Sequence, residues 1–133
     1  MNAKVLYYAA AATTVVAGIL HLIMTPNILN FNPNGAVLFS IGGAAQIFWA
    51  IPMIRRWGRV WYSVGIGGTS VLIAIWTITR IPGNPITGRG VMVNEMGIAV
   101  EAMQWVFVGL TAAILVIESR MKRIHTRTAS DAA

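Results

Sequence analysis

Four long apolar runs divide this chain of 133 residues, and they constrain its fold more than any other feature. They cover about residues 4–24, 35–54, 60–79 and 96–117, and only the fourth has a charged residue in its interior, Glu101. A helix needs about 20 apolar residues to cross the hydrocarbon core of a bilayer. The sequence therefore predicts an all-α fold, an integral membrane bundle of four antiparallel helices with short connections.

The composition supports a lipid environment for these runs. Hydrophobic residues make up 56% of the chain, charged residues only 11%, and the mean hydropathy is +0.68. A soluble domain of this length has too little interior to bury so many apolar side chains. The chain has no cysteine, which excludes disulfides and thiolate ligands for metals or haem.

The basic residues flank the apolar runs, and their distribution predicts the orientation. The net charge of +6 would suggest nucleic acid in a soluble protein. In a membrane protein, basic residues mark the cytoplasmic side instead. Only Arg80 and Arg89 fall on one side, and eight fall on the other: Lys4, Arg55, Arg56, Arg59, Arg120, Lys122, Arg123 and Arg127. We therefore expect both termini in the cytoplasm of a cell-membrane protein, with the lipid bilayer as a partner and no nucleic acid.

The same pattern predicts the domain organisation. Residues 1–124 form one membrane domain, and residues 125–133 form a polar cytoplasmic tail. Pro26 and Pro33 are expected to end the first helix and to open the second. Residues 80–95 contain several prolines and glycines, which predicts an irregular connection on the outer side.

Five polar residues fall within or next to the apolar runs and need an explanation: His21, Gln46, Arg80, Glu101 and Gln104. Ionisable groups at membrane depth are costly, so they are functional candidates by default. The topology places His21, Arg80 and Glu101 in the outer half of the bundle. One interpretation is a structural network in which Glu101 pairs with Arg80 or His21. The other is an outward-facing site that exchanges protons or contacts a quinone or polar substrate.

The outer connection and the metal-binding residue types complete the list of candidates. Arg80 and Arg89, with neighbouring glycine N–H groups, could contact an anion, a lipid headgroup or a partner subunit, or the loop could simply cap the bundle. No histidine or methionine pair has the spacing of a metal site, so we expect no metal and no other cofactor.

Two segments carry a resemblance to known membrane proteins. Residues 17–26 (AGILHLIMTP) resemble the end of the first helix in small four-helix proteins of the DoxX-like kind. In that group a glycine and an acidic residue often follow each other in the second helix, whereas Gly43 is followed here by Gln46. The chain is also similar to four-helix proteins of archaea and actinobacteria, on the residues Trp76, Arg80, Pro82, Gly83, Pro85 and Gly88.

These features leave more than one hypothesis for the function. The first is a non-enzymatic subunit or accessory protein of a larger membrane assembly, such as an oxidoreductase or monooxygenase complex, in contact with other subunits or with itself. The resemblance implies the alternative, a DoxX-like redox- or quinone-linked protein that uses an outward-facing polar site. A small transporter ranks last, because only one acidic residue lies within the membrane.

Overall fold

The computed structural model describes residues 2–133, and this part of the chain folds into four α-helices without strands. They are α1 (Ala3–Leu29), α2 (Pro33–Arg55), α3 (Arg59–Thr79) and α4 (Glu95–Asp131). Each helix is long and apolar enough to cross a membrane, by length and composition. The prediction of an all-helical chain with four helices long and apolar enough to span a membrane is therefore confirmed.

Asparagine side chains begin three of the four helices. The side-chain oxygens of Asn2, Asn32 and Asn94 each accept a hydrogen bond from a backbone N–H in the first turn of the helix that follows. Such caps satisfy donors that have no partner within the helix. The α2–α3 turn is made differently, since Arg56 and Gly58 both have positive φ (53° and 112°). The turn therefore reverses the chain within three residues.

Two helix ends differ from the predicted ones. Pro26 lies inside α1, which continues to Leu29, so the expectation that this proline ends the helix is wrong. A proline removes only one intrahelical donor, and the Thr25 hydroxyl bonds the carbonyl oxygen of His21 nearby at 3.0 Å. The segment 125–133, expected as a tail, is helical to Asp131.

The helices are arranged in a ring. α1 packs most extensively against α2 and then against α4, and α3 packs against α4 and least against α2. α1 and α3 therefore lie diagonally across the bundle, where they meet through side chains: the Tyr7 and Tyr62 rings are 5.9 Å apart. Large apolar side chains such as Val60 and Trp105 are exposed on the outer surface of the ring, which suits a lipid surrounding.

The α1–α2 contact depends on two facing glycines. A Cβ atom added to Gly18 would lie 2.6 Å from the carbonyl oxygen of Gly43, and one added to Gly43 would lie 2.9 Å from that of Gly18. Close backbone approach through small residues is a main source of packing between helices in lipid. A hydrogen bond of 2.9 Å from the Thr14 hydroxyl to the carbonyl oxygen of Gln46 supports the same contact.

A second cluster joins α1, α3 and α4 near the chain termini. The Tyr7 hydroxyl donates a hydrogen bond to Glu118, and the Arg56 guanidinium lies 4.7 Å from the centre of the Tyr7 ring. Tyr62 is completely buried beside them. We call Tyr7, Arg56, Tyr62 and Glu118 the tyrosine cluster. It fixes the start of α1 against α4 through residues that are far apart in sequence.

We expect Gly18→Ala to destabilise the bundle by about 1–3 kcal/mol, because its methyl group would collide with the α2 backbone. Gly67→Ala is the matched control, since a Cβ atom there meets nothing within 4 Å. The measurement is the thermal unfolding midpoint in detergent, followed by circular dichroism. A Gly18→Ala midpoint equal to that of Gly67→Ala would contradict the close α1–α2 contact.

Candidate functional site

A cavity of about 220 Å³ lies at the end of the bundle that holds the α1–α2 and α3–α4 connections. Side chains from all four helices line it, together with Asn32 and Thr87 of the connections. His21, Arg80 and Glu101, the three ionisable residues singled out from the sequence, are all among the lining residues. We call this space the polar cavity. Most of its wall is nevertheless apolar.

His21 enters the polar cavity with one ring nitrogen already in use. Its Nδ1 lies 3.0 Å from the carbonyl oxygen of Ala17, and its ring packs against Phe39 with the ring centres 5.0 Å apart and the planes tilted by 60°. In a neutral imidazole, a proton on Nδ1 leaves Nε2 as a hydrogen-bond acceptor. The side chain is only 6% exposed. His21 is thus held in one orientation with an acceptor to offer.

Arg80 is held by the loop that follows it. Its Nη1 donates hydrogen bonds of 3.1 Å to the carbonyl oxygens of Val91 and Met92, and its guanidinium lies 4.5 Å from the Trp76 ring. The Nε atom is buried without a hydrogen-bond partner. Arg80 therefore fixes the α3–α4 loop over the cavity and retains one free donor.

Glu101 supplies the only carboxylate of the polar cavity. The residue is 8% exposed, and its Oε1 is buried without a hydrogen-bond partner. The positive charge of Arg80 acts on it electrostatically, although Nη1 of Arg80 is directed to the loop carbonyls. An unpaired carboxyl oxygen in an apolar setting is costly, which marks this residue as functional by default.

The remaining candidates lie elsewhere. Gln46 is close to the His21 side chain but lines a different hollow, between α2 and α3. Gln104 is 1% exposed and lines neither space, and both polar atoms of its side chain lack a partner. Arg89 is exposed, unlike Arg80, so the two arginines do not form one surface pair.

Asn84 organises the loop that covers the polar cavity. It is 5% exposed, and its Nδ2 donates to the carbonyl oxygens of Ile81 and Arg89 at 2.9 and 3.1 Å. Its Oδ1 accepts from the backbone N–H of Ile86 and of Thr87. A single buried amide thus replaces the regular hydrogen bonds that this loop lacks.

No protein-family model, no curated protein and no solved structure gives a match. The chemistry of the polar cavity therefore has to follow from its own geometry.

The residues of the polar cavity hold both donors and acceptors. Trp76 Nε1 and Arg80 Nε are buried donors without a partner, and Glu101 Oε1 is a buried acceptor without one. His21 Nε2 is an acceptor when Nδ1 carries the proton of a neutral ring. Within residues 2–133, no three His, Cys, Asp or Glu side chains come together as metal ligands. The arrangement suits a small ring compound that both donates and accepts hydrogen bonds.

Sequence reasoning did not select Trp76 as a site residue, or Asn84 as the residue that orders the loop. Trp76 precedes Arg80 by one helical turn, so the two side chains share a face, and this spacing was the available signal. Asn84 stands between Gly83 and Pro85, a pattern typical of an asparagine turn. Neither signal alone separates a site residue from an ordinary interfacial tryptophan or loop residue.

Proposed function

We propose that this multi-pass membrane protein binds a small lipid-soluble ring compound of the quinone type in the polar cavity. The observation that carries the proposal is that Trp76, Arg80 and Glu101, which line this otherwise apolar cavity, each hold a buried polar atom without a hydrogen-bond partner. Binding sites for small molecules typically combine apolar walls with a few convergent polar groups. The volume of about 220 Å³ lies below that of drug-sized sites and suits a single ring.

The hydrogen-bonding pattern supports a quinone or quinol in particular. Such a ring carries oxygens on opposite edges, which accept hydrogen bonds as carbonyls and donate them as hydroxyls. A hydroxyl can donate to His21 or Glu101, and a carbonyl can accept from Trp76 or Arg80. His21 and Glu101 can also exchange protons with the ring oxygens. The resemblance of residues 17–26 to DoxX-like proteins supports the same class of ligand.

We further infer an antiparallel bundle in the cell membrane with both termini cytoplasmic. The contacts support this arrangement, because Tyr7 lies near Arg56 while His21 lies near Phe39, so α1 and α2 meet in opposite sequence order. The distribution of eight basic residues against two supports the orientation. The polar cavity would then open toward the outer side of the membrane.

A second candidate function is that of a subunit in a larger membrane assembly. It is favoured by the outer face of α3, where four small residues spaced three or four apart are exposed: Ser63, Gly67, Ser70 and Ala74. Faces of this kind let another membrane helix approach closely. α3 is also the least buried of the four helices. The two functions are compatible, since a quinone-binding subunit could serve a partner enzyme such as a membrane oxidoreductase or monooxygenase.

The proposed ligand site is tested by substituting its acceptors. We expect His21→Phe and Glu101→Leu each to weaken binding of 2,3-dimethoxy-5-methyl-1,4-benzoquinol by about tenfold, because each removes a hydrogen bond to a buried group. His125→Ala is the control, since His125 is exposed in the last part of α4. Dissociation constants come from calorimetry in detergent under anaerobic conditions. Equal affinities in all variants would refute the site.

The orientation can be tested directly because the chain has no cysteine. We expect Ile86→Cys in the α3–α4 loop to react with a membrane-impermeant maleimide on intact cells. Ser130→Cys, near the end of α4, should react only after the cells are lysed. Both positions are exposed in the bundle, so accessibility to the reagent depends on the side of the membrane. The opposite pattern would reverse the proposed orientation.

The subunit hypothesis predicts a stable partner after extraction of the native membrane in mild detergent. We expect Gly67→Trp to remove this partner by blocking the small-residue face of α3. Gly109→Trp on α4 is the control, since a Cβ atom meets nothing within 4 Å at either glycine. Native mass spectrometry identifies what co-purifies. A chain that is extracted as a monomer even without substitution argues against the hypothesis.

A further inference from the structure

A second hollow, of about 200 Å³, lies along the seam between α2 and α3. We call it the seam groove. Ala45 of α2 and Gly68 of α3 border its open part, whereas Leu72 packs against Gly42 and the Trp49 indole packs against Gly65. Ala45 and Gly68 are exposed at the outer surface of the bundle. The groove is therefore open toward the lipid.

Aromatic rings explain why α2 and α3 stand apart here. Trp57 and Trp61 pack at 4.8 Å, Trp49 and Trp61 at 5.7 Å, and Phe48 lies 6.3 Å from Trp57. The Trp49 indole also donates a hydrogen bond of 3.0 Å to the carbonyl oxygen of Trp61. These rings fill the α2–α3 contact next to the connecting turn. Beyond them the seam holds small residues, so the two helices remain separated by a groove.

The seam groove adjoins the polar cavity, and the Leu72 side chain, which packs against Gly42, stands between the two spaces. Leu72 lines both spaces, which therefore lie next to each other along α3. Gln46 lines the groove and is close to His21 of the cavity. Gln46 is only 4% exposed, and its Oε1 has no hydrogen-bond partner.

We propose that the ligand of the polar cavity carries one hydrocarbon tail, which leaves through the seam groove into the lipid. This inference rests on the proposed function and extends it from a ring compound to a tailed, membrane-resident one. The path along α2 from Gly42 to Trp49 spans seven residue steps, about 10 Å of helix, and a tail enters it from the cavity when the Leu72 side chain moves off Gly42. A single unbranched or prenyl chain can pass along it between Ala45 and Gly68 and reach the bilayer.

The hydrocarbon tail requires space in the seam groove rather than favourable contacts with its walls. Lipid tails solvate a hydrocarbon chain as well as apolar side chains do, so the groove adds little binding energy of its own. Its role is to let the ring enter the cavity while the tail stays in the membrane. Filling the groove should therefore exclude tailed ligands and leave tail-less ones unaffected.

The test compares two probes on matched variants. The probes are 2,3-dimethoxy-5-methyl-1,4-benzoquinol, which has no tail, and its 6-decyl derivative. Gly68→Leu fills the seam groove, whereas Gly67→Leu places the same side chain on the neighbouring residue, which does not line it. We expect Gly68→Leu to weaken binding of the decyl probe roughly tenfold or more and to leave the tail-less probe unchanged. Gly67→Leu should change neither.

Ala45→Leu provides a second obstruction from the α2 side, and retained binding of the tail-less probe shows that each variant is folded. An equal loss for both probes, or no loss of the decyl probe in either groove variant, would overturn the tail route while leaving the ring site in place. Failure of both probes to bind the unsubstituted protein would overturn the proposed function, and this inference with it.

Discussion

The contact between the backbones of Gly18 and Gly43 determines much of the remaining structure. Each glycine lies where a Cβ atom would collide with the carbonyl oxygen of the other. A Cβ atom at Gly43 would also lie 3.0 Å from the Cβ atom of His21, so the same glycine makes room for that histidine. One turn further along α2, Gln46 comes next to His21. The glycine pair therefore determines how closely α1 packs on α2, and it positions His21 in the wall of the polar cavity.

The number and type of the helices were predictable, because membrane spans follow from hydropathy and length alone. The ends of α1 and α4 were not predictable, since hydropathy indicates only the part of a helix that lipid surrounds. Beyond residue 117, helix formation depends on the helix propensity of the residues and not on their hydropathy. Pro26 was misjudged because one proline near a helix end costs only one hydrogen bond.

The candidate site was predictable as a set of residues but not as an arrangement. His21, Arg80 and Glu101 attract attention because ionisable groups are rare in apolar runs, and all three line one cavity. Residue type and spacing could not separate Arg80, which is held by the loop carbonyls, from the exposed Arg89. Gln104 follows Glu101 by three residues, so the spacing predicts that the two share a face of α4. The spacing does not predict that only Glu101 lines the cavity.

Some polar residues that join helices pair with each other, as Tyr7 does with Glu118 in the tyrosine cluster, whereas Tyr62 of that cluster, Gln104 and Thr111 hold buried atoms without a partner. Of the eight buried side-chain atoms without a partner within residues 2–133, four belong to residues that line the polar cavity or the seam groove: Gln46, Trp76, Arg80 and Glu101. Each such atom costs about 1–3 kcal/mol. A ligand that satisfies several of them would recover this cost on binding, and the apolar walls around them would exclude competing water.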